Sequence, residues 1–514
     1  MSLNGWLEDS ARRWPGRLAA VDLERGAQLT YAELETVANE IRAALEAAGV
    51  RGGDRVGIDG PKSLATLCSL LGVLKTGAAY VPVDPDAPPE RNAYIFADCS
   101  VRALIVEASR LDELSRANGE LQLDVFSSLD VLAFSGVELL LVRNTADQVE
   151  AASANVPELA YILYTSGSTG RPKGVMHTHA SAMSFVDWCT ETFAPSEADR
   201  FSSHAPFHFD LSILDIYLPL KHGAAIFLIG EHLGKQPANL AEAISESRIS
   251  MWYSTPSVLR LLVDYGTLDR LDFGALRVVN FAGEVFPVKH LRALKDHWRH
   301  ARFFNLYGPT ETNVCTWYEV PEMIPSDRNE PYPIGKVCSN DLGWIVDENG
   351  GPVPTGEEGE LYVSGGSVMA GYWNLPARSE QAFAVGEDGT RWYRTGDVVR
   401  ENDEGDLLFL GRRDRMVKRR GYRVELGEIE AALYRHPDIS EAAVVAVPDE
   451  ESGVLISAYV IWEGQDRPST IKLKNFSADN LPLYMVPDRF AFPALIPKTS
   501  TDKVDYQRLA GLEN

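Results

Sequence analysis

The stretch LAYILYTSGSTGRPKG, residues 159–174, joins an apolar segment to a loop of glycines and hydroxyl-bearing residues. Polyphosphate needs closely approaching N–H donors and a cation, and this loop offers both. We therefore expect it to hold phosphate. The residues concerned are Thr165, Ser166, Gly167, Ser168, Thr169, Gly170 and Lys173. A Ser/Gly-rich surface turn has the same composition and remains open at this point.

The loop differs from the P-loop of many nucleotide-binding proteins. That motif has a Gly-Lys pair directly before Ser or Thr, whereas Lys173 lies between Pro172 and Gly174. A nucleotide therefore remains a candidate ligand, but in a different kind of site.

The size and charge of the chain narrow the possible functions. Its 514 residues exceed one ordinary hydrophobic core, so we expect two or more domains. A formal net charge of −24 disfavours a nucleic-acid partner, because a phosphate backbone would be repelled. The sequence has neither a membrane-spanning apolar run nor the start of a secretion signal. Its five cysteines form no CxxC pair, which predicts reduced thiols in a cytoplasmic protein.

Hydrophobic patterning predicts an α/β fold with two smaller units. Residues 30–33 have capping-box spacing, and apolar residues then recur at helical period. Residues 335–410 change to short strand-like pieces between Gly and Pro, which predicts a small β-rich, barrel-like unit. A new α/β pattern follows. We therefore expect a large N-terminal domain over residues 1–413 and a small α+β C-terminal domain over residues 414–514.

Residues 305–311, NLYGPTE, place an aromatic ring, a hydroxyl and a carboxylate close together. Tyr307 is suited to stack on a base, and Thr310 to bind a phosphate. Glu311 is suited to hold Mg²⁺, because this hard cation prefers carboxylate and phosphate oxygens. A turn built on Gly-Pro is the alternative for this motif taken alone.

Two later segments carry charge that fits a nucleotide. In YRTGD, residues 393–397, the carboxylate of Asp397 suits bidentate bonding to ribose hydroxyls, although Gly-Asp is also a common turn. Seven of the twelve residues from 412 to 423 are Arg or Lys inside an acidic protein, which favours a phosphate-contacting hinge over a solvated basic face. Lys503 lies in a loop of turn-forming residues and carries little weight on its own.

Taken together, these segments resemble the adenylate-forming superfamily, and within it the amino-acid adenylation domains of nonribosomal peptide synthesis. The similarity spans nearly the whole chain and comprises nine motifs in the family's order. They are LTYAEL (29–34), LKTGAAYVPVDP (74–85), the opening stretch, FDLS (209–212), NLYGPTE, GELYVSGGSVMAGYW (359–373), YRTGD, the block GRRD…ELGEIE (411–430) and LPLYMVP (481–487). The form ELGEIE is more similar to amino-acid-activating members than to fatty acyl-CoA ligases.

The resemblance implies two half-reactions that use ATP and Mg²⁺. The substrate carboxylate attacks the α-phosphate of ATP and pyrophosphate leaves. A mobile C-terminal domain then turns about the hinge residue Asp414, and a phosphopantetheine thiol takes the acyl group. Preorganised cations near the α-phosphoryl oxygens would lower the first barrier.

The resemblance also assigns residues to these steps by motif. Catalysis falls to Lys503, Thr310 and Glu311, with Glu311 on Mg²⁺ and Lys503 bridging substrate and nucleotide. ATP or AMP binding falls to the loop over residues 165–173 and to Gly283, Glu284, Asn305, Tyr307, Gly308, Thr310, Asp397, Phe409 and Arg412. The usual Asn-Gly before the lysine reads Thr501-Asp502 here, which leaves the geometry and charge of that loop open.

Asp210 either caps the helix predicted over residues 211–218 or, as the resemblance implies, pairs with the α-ammonium of an amino-acid substrate. By motif position, the substrate pocket also contains Leu211, Leu214, Tyr253, Asn280, Ala282, Leu306, Val314 and Cys315, together with Lys503. No carboxylate or arginine beyond Asp210 is present to pair a charged side chain, and burying one unpaired is unfavourable. We therefore expect a small or medium, uncharged amino acid.

The pocket residues are similar to those of stand-alone prolyl-activating enzymes, so L-proline is the predicted substrate. Those enzymes generally carry an apolar residue where this chain has Asn280. An amide there can bind a hydroxyl or a ring nitrogen, so a substituted or heteroatom-bearing proline analogue remains open. D-alanine–carrier protein ligases are close rivals through residues 209–219 and 254–257, but they have a Cys where this chain has Ala282. Another small amino acid is the third alternative.

The expected acceptor is a separate carrier protein, because only eleven residues follow Lys503. Such carriers are usually acidic, and the basic run over residues 412–423 can steer either their surface or the pantetheine phosphate. Free CoA is the weaker alternative acceptor. Two other functions remain open: an acyl- or aryl-CoA synthetase, which Asp210 disfavours, and a relative that only binds, which the retained Lys503 and Glu311 disfavour.

Overall fold

The computed structural model describes residues 2–117, 120–146, 158–167, 171–449, 453–498 and 504–512. The α-helices of this part of the chain are α1 (Leu3–Arg13), α2 (Tyr31–Ala47), α3 (Leu64–Lys75), α4 (Pro89–Asp98), α5 (Leu111–Ala117), α6 (His179–Phe193), α7 (Ser212–His222), α8 (Glu231–Gly234), α9 (Pro237–Glu246), α10 (Pro256–Tyr265), α11 (Val288–His297), α12 (Pro376–Gln381), α13 (Leu426–Leu433), α14 (Thr470–Asn480) and α15 (Tyr506–Ala510). None of these described helices is long and apolar enough to cross a membrane.

The strands of the same residues are β1 (Leu18–Asp22), β2 (Gln28–Thr30), β3 (Arg55–Asp59), β4 (Ala79–Pro82), β5 (Ala103–Glu107), β6 (Leu123–Ser128), β7 (Leu139–Asn144), β8 (Leu159–Thr165), β9 (Lys173–Thr178), β10 (Arg200–Ser203), β11 (Ala225–Leu228), β12 (Met251–Ser254), β13 (Val278–Ala282), β14 (Arg302–Tyr307), β15 (Thr316–Val320), β16 (Lys336–Val337), β17 (Asp341–Val346), β18 (Glu358–Gly365), β19 (Gly371–Tyr372), β20 (Phe383–Val385), β21 (Arg391–Glu401), β22 (Leu407–Arg412), β23 (Met416–Arg419), β24 (Tyr422–Glu425), β25 (Ile439–Asp449), β26 (Gly453–Trp462) and β27 (Arg489–Ala491).

Two large mixed sheets form the centre of the fold. The nine-stranded sheet has the order β16-β15-β14-β13-β12-β10-β11-β1-β2, with the strands from β14 to β1 parallel. The eight-stranded sheet has the order β19-β9-β8-β4-β3-β5-β7-β6, with β8, β4, β3 and β5 parallel. The largest apolar cluster joins both sheets through α2, α3, α6 and α7. The predicted α/β fold is confirmed.

Helix α2 shows how the sequence sets a boundary. The N–H of Glu33 donates to Thr30 Oγ1 at 3.3 Å, and the N–H of Thr30 donates to Glu33 Oε2 at 2.8 Å, which is the predicted capping box. The helix ends at Ala47, and Gly49 then turns the chain with a φ of 97° that favours glycine. Local chemistry alone therefore defines both ends.

The smaller units follow in the chain. The predicted β-rich unit is an antiparallel sheet of β17, β18, β20, β21 and β22. Strands β23 and β24 then pair over residues 416–425, which we call the 416–425 hairpin. Strands β25, β26 and β27 form a last sheet, which packs with α13 and α14 around an apolar cluster of its own. The domain boundary and hinge at Asp414, between β22 and β23, remain predictions.

The loops that leave four neighbouring parallel strands converge at one edge of the nine-stranded sheet. These strands are β10, β12, β13 and β14, which end at Ser203, Ser254, Ala282 and Tyr307. Ligands of open α/β sheets bind outside the carboxyl ends of the strands. A ligand site is therefore expected at this edge, where the predicted residues of motifs FDLS and NLYGPTE follow their strands.

Candidate active site

One cleft collects residues from these strand-end loops and from the 416–425 hairpin. Of the predicted site residues, it brings together Asp210, Leu211, Tyr253, Ala282, Gly283, Gly308, Thr310, Val314, Asp397 and Arg412. The hairpin adds Met416, Lys418, Gly421 and Arg423, to which the motifs assign no individual role. The cleft is thus enclosed between the N-terminal sheet and the hairpin.

Asp210 lies in the cleft just before α7, and 9% of its surface is exposed. The cap position of α7 is Leu211, whose side chain has no acceptor, so Asp210 is not the helix cap. Burial raises the pKa of the Asp210 carboxyl, and the Thr310 hydroxyl and the Lys418 ammonium act in the opposite direction. A buried carboxylate in this setting gains stability from a cationic ligand.

Four of the predicted substrate residues, Leu211, Tyr253, Ala282 and Val314, line the cleft with Asp210. Leu211, Leu214, Tyr253, Ala282, Leu306 and Val314 belong to one buried cluster. Asn280 lies on β13 between Tyr253 of β12 and Phe304 of β14. Cys315 packs instead with Tyr307 in a separate cluster, so the structure does not bring it to the others.

Two further residues line the cleft although no motif predicted them. Phe185 of α6 adds an aromatic wall. Asn313 has a φ of 56°, accepts a hydrogen bond from the Tyr161 hydroxyl at 3.4 Å, and has no partner for Nδ2 among the described residues. Asn313 follows NLYGPTE by two residues, and this proximity is the one signal that could have pointed to it.

Tyr307, Asp397 and Arg412 form a linked group on the predicted nucleotide side. The Tyr307 hydroxyl and the Arg412 guanidinium both donate to the Asp397 carboxylate. They meet because β21 and β22 pair Asp397 opposite Arg412. Burial and the adjacent Asp397 raise the pKa of the Tyr307 phenol, which keeps it protonated as a donor. The ring of Phe409 lies 6.0 Å from that of Tyr307.

Arg412 also reaches the predicted hinge. Its Nε and one terminal nitrogen donate to the two carboxylate oxygens of Asp414 at 2.7 and 2.8 Å. Although burial would raise the pKa of Asp414, its bonds to Arg412 hold that pKa below the usual range. Asp414, the predicted hinge residue, is thus linked through Arg412 to the group that contains Asp397.

Glu311 is fully buried and accepts from three side chains. Its Oε1 lies 3.0 Å from Lys173 Nζ and 2.7 Å from the Tyr372 hydroxyl, and one Arg423 nitrogen lies 2.9 Å from each carboxylate oxygen. Burial would raise the pKa of Glu311, but Arg423 and Lys173 hold it well below the usual range. Burial and the neighbouring Arg423 lower the pKa of Lys173 to about 8.

This arrangement does not fit Mg²⁺ at Glu311, the predicted metal ligand. Protein donors occupy its oxygens, and Arg423 supplies the positive charge that a divalent cation would bring. Within the described ranges, no group of three or more His, Cys, Asp or Glu side chains is placed to hold a metal ion.

The loop after β8 is bound to C-terminal residues. Ser166 Oγ donates to the Arg423 carbonyl at 2.8 Å and accepts from the Glu425 N–H at 3.2 Å. The N–H of Gly167 donates to Glu428 Oε2 at 3.0 Å. Two predicted phosphate-binding residues are thus engaged by residues 423–428.

Part of the predicted site lies outside the described residues. This applies to Ser168, Thr169, Gly170 and Lys503, and to the altered Thr501-Asp502 pair. Thr165 is described, and its Oγ1 is buried with no partner among the described residues.

Two glycines allow the hairpin to approach the sheet. Gly283 and Gly421 have φ values of 91° and 81°, and a Cβ on Gly283 would lie 3.3 Å from the Cα of Gly421. The N–H of Gly421 donates to Glu284 Oε1 at 2.9 Å, which places Glu284 against the hairpin. Asn305 donates to the Pro333 carbonyl at 2.8 Å and is not among the residues that line the cleft.

Comparisons with known proteins agree with this architecture. The AMP-binding enzyme family matches residues 7–373, and the AMP-binding enzyme C-terminal domain matches residues 428–503. An L-proline–[L-prolyl-carrier protein] ligase of Pseudomonas fluorescens is 42% identical over 98% of this chain and 97% of its own length. An enzyme of the same name from Streptomyces coelicolor is 38% identical over 94% of this chain and 91% of its own.

The fold is also similar to that of a solved structure with a bound ligand. The adenylation domain AlmE of Vibrio cholerae, in complex with glycyl-adenosine-5′-phosphate, has a TM-score of 0.81 and 26% identity over 99% of this chain and 97% of its own. The match of the family to most of the chain, the identity to full-length relatives and the cleft at the strand ends lead to one conclusion. The chain belongs to the AMP-binding enzyme family.

Proposed function

We propose that the protein uses ATP to activate an amino acid of the proline class and passes it to the thiol of a separate carrier protein. The observation that carries this proposal is the Asp210 carboxylate, buried at the mouth of an apolar pocket and in the same cleft as Thr310, Asp397 and Arg412. The names of the two relatives from Pseudomonas fluorescens and Streptomyces coelicolor support the proline class and the carrier acceptor.

The amino-acid end of the cleft selects for an α-amino acid. An α-ammonium group next to Asp210 would neutralise its buried charge, which a fatty or aromatic acid cannot do. The residues Leu211, Tyr253, Ala282 and Val314, which line the cleft with it, suit a compact, uncharged ring. A charged side chain would be buried there without a partner, which is unfavourable.

The other end of the cleft suits AMP. Tyr307 and Phe409 provide aromatic surface for adenine, and Asp397 provides a carboxylate for ribose hydroxyls. Thr310 lines the same cleft and its hydroxyl bonds to the Asp210 carboxyl, so the α-phosphate would sit near it when the substrate carboxylate attacks. The new acyl–phosphate bond forms as the bond to pyrophosphate breaks, and the thiol later displaces AMP.

The described arrangement suits the second half-reaction better than the first. Arg423 neutralises Glu311, and Ser166 and Gly167 are bonded to residues 423–428, so the groups assigned to Mg²⁺ and the outer phosphates are engaged. We propose that the C-terminal residues turn about Asp414 for adenylation. Lys503 would then bridge the substrate and ATP, and Glu311, once parted from Arg423, would be free to offer its carboxylate to Mg²⁺.

The decisive experiment is ATP–pyrophosphate exchange with each proteinogenic amino acid, with D-alanine, and with benzoate and fatty acids as controls. Proline-class amino acids should stimulate exchange above all others. Preference for D-alanine would support the rival carrier-ligase branch, and stimulation only by benzoates or fatty acids would support a CoA synthetase. Exchange with none of these acids would favour a non-catalytic protein that only binds a nucleotide or a partner. Transfer is then checked by the mass of a phosphopantetheinylated carrier.

A further inference from the structure

The predicted floor of the substrate pocket contains Asn280, which is buried two residues before the cleft-lining Ala282 and does not itself line the cleft. Asn280 is 1% exposed, and neither its Oδ1 nor its Nδ2 forms a hydrogen bond with any of the described residues. Burying an amide with no partner is unfavourable, whereas a leucine of similar size would pack there at no such penalty. Beside the predicted substrate position, a buried amide without a partner in the described part of the chain favours a partner in the ligand.

The position of Asn280 on β13 aims it at the substrate. Side chains alternate along a strand, so Asn280 faces the same side as Val278 and Ala282, which belong to the main cluster. Ala282 lines the cleft, and Asn280 lies two residues further in, about 7 Å along the strand. Tyr253 and Phe304 flank it in register on both sides. Asn280 is therefore a buried amide between two aromatic side chains at this floor.

We infer that Asn280 binds a hydroxyl group on the ring of the substrate, and that the enzyme prefers 4-hydroxy-L-proline to L-proline. This inference rests on the proposed function. An amide offers one donor group and one acceptor, and a hydroxyl can satisfy both, whereas an ether or thioether atom only accepts. In the proline ring, C4 lies farthest from the bond between the nitrogen and C2. With the nitrogen at Asp210 and the carboxylate on C2 turned to the nucleotide, C4 faces the floor.

The test compares kcat/KM in ATP–pyrophosphate exchange for L-proline, both 4-hydroxy-L-proline diastereomers and trans-3-hydroxy-L-proline. One 4-hydroxy diastereomer should exceed L-proline by about tenfold or more, because a site built to bind a hydroxyl discriminates against the analogue that lacks it. L-Proline equal to or better than every hydroxyproline would overturn the inference while leaving the proposed function intact. Exchange with none of the four would instead overturn the proposed function.

The variant Asn280→Leu assigns the preference to this side chain. It should lower kcat/KM for the 4-hydroxyproline about tenfold or more relative to kcat/KM for L-proline, chiefly through KM. The circular-dichroism spectrum and the thermal unfolding of the same variant are the control for folding. Asn313→Ala, which alters an amide that does line the cleft, should leave the ratio between the two substrates unchanged. A preserved ratio in Asn280→Leu would overturn the assignment. If that variant does not fold, the ratio of the kcat/KM values for 4-hydroxyproline and L-proline in the wild-type enzyme is the remaining test of the inference.

Discussion

The buried polar side chains at the two ends of the cleft differ in whether they have partners in the protein. At the phosphate end, Lys173 and Arg423 both pair with Glu311. At the amino-acid end, the Asn280 amide has no partner among the described residues, and burial leaves Asp210 with a raised pKa. The difference indicates that Arg423 of the 416–425 hairpin occupies the phosphate end, whereas the groups at the amino-acid end remain available to a substrate. The following predictions test this contrast, from the largest effect to the smallest.

The largest effect is expected from Lys503→Ala. Loss of one oriented charge at the reacting phosphate should lower adenylation by on the order of 10²-fold or more. The variant should still transfer a supplied aminoacyl-adenylate to pantetheine. Adenylation is measured by pyrophosphate exchange and transfer by thioester formation, and an equal loss in both would contradict a role confined to the first step.

Asp210→Asn tests the amino-acid end. The substitution keeps the size of the side chain but removes the charge, and the unpaired ammonium of the substrate would then be buried. We expect kcat/KM for L-proline to fall on the order of 10²-fold, since removing one partner of a buried charge pair is strongly unfavourable. The KM for ATP should stay near the wild-type value. Unchanged kcat and KM with L-proline would show that the Asp210 carboxylate does not bind the substrate ammonium.

Arg423→Met tests the phosphate end. The change removes the guanidinium that occupies Glu311 while Lys173 remains, so the docked hairpin should be weakened and Glu311 freed for Mg²⁺. We expect transfer from a supplied adenylate to pantetheine to fall roughly tenfold, with the Mg²⁺ concentration needed for exchange unchanged or lower.

Arg420→Met is the matched control for that variant, because Arg420 lies in the same hairpin and is exposed. Pantetheine is used in place of a carrier, so that attraction between charged protein surfaces does not contribute. Equal losses in the two variants would show that total charge, and not the pair with Glu311, governs docking.

The smallest effect concerns pH. Burial and Arg423 lower the pKa of Lys173 to about 8, so the free enzyme loses this charge as the pH rises through that value. The kcat/KM for ATP should therefore fall about fivefold between pH 8 and pH 9, because it reports groups of the free enzyme. Lys173→Arg should flatten the profile, since arginine stays protonated. A wild-type profile that is flat to pH 9 would exclude Lys173 as the titrating group.

The sequence predicted features whose cause is local, and missed those that depend on distant residues. The capping box of α2 needs only Thr30 and Glu33, which are three positions apart in the chain, and the structure contains it. The pairing of Glu311 with Arg423 joins residues 112 positions apart, and no local pattern indicates it. The motif position of Cys315 suggested a pocket residue, but its neighbour Val314 takes that side and Cys315 packs against Tyr307.

The most direct test of the account is pyrophosphate exchange with L-proline and with tetrahydrofuran-2-carboxylate, measured side by side. The second acid has the same ring size and carboxylate but an ether oxygen where proline has its ammonium. If Asp210 selects the substrate through its charge, L-proline should drive exchange with a kcat/KM on the order of 10²-fold higher. Equal exchange with both acids would contradict the central claim that the buried carboxylate at the pocket mouth recognises an amino acid.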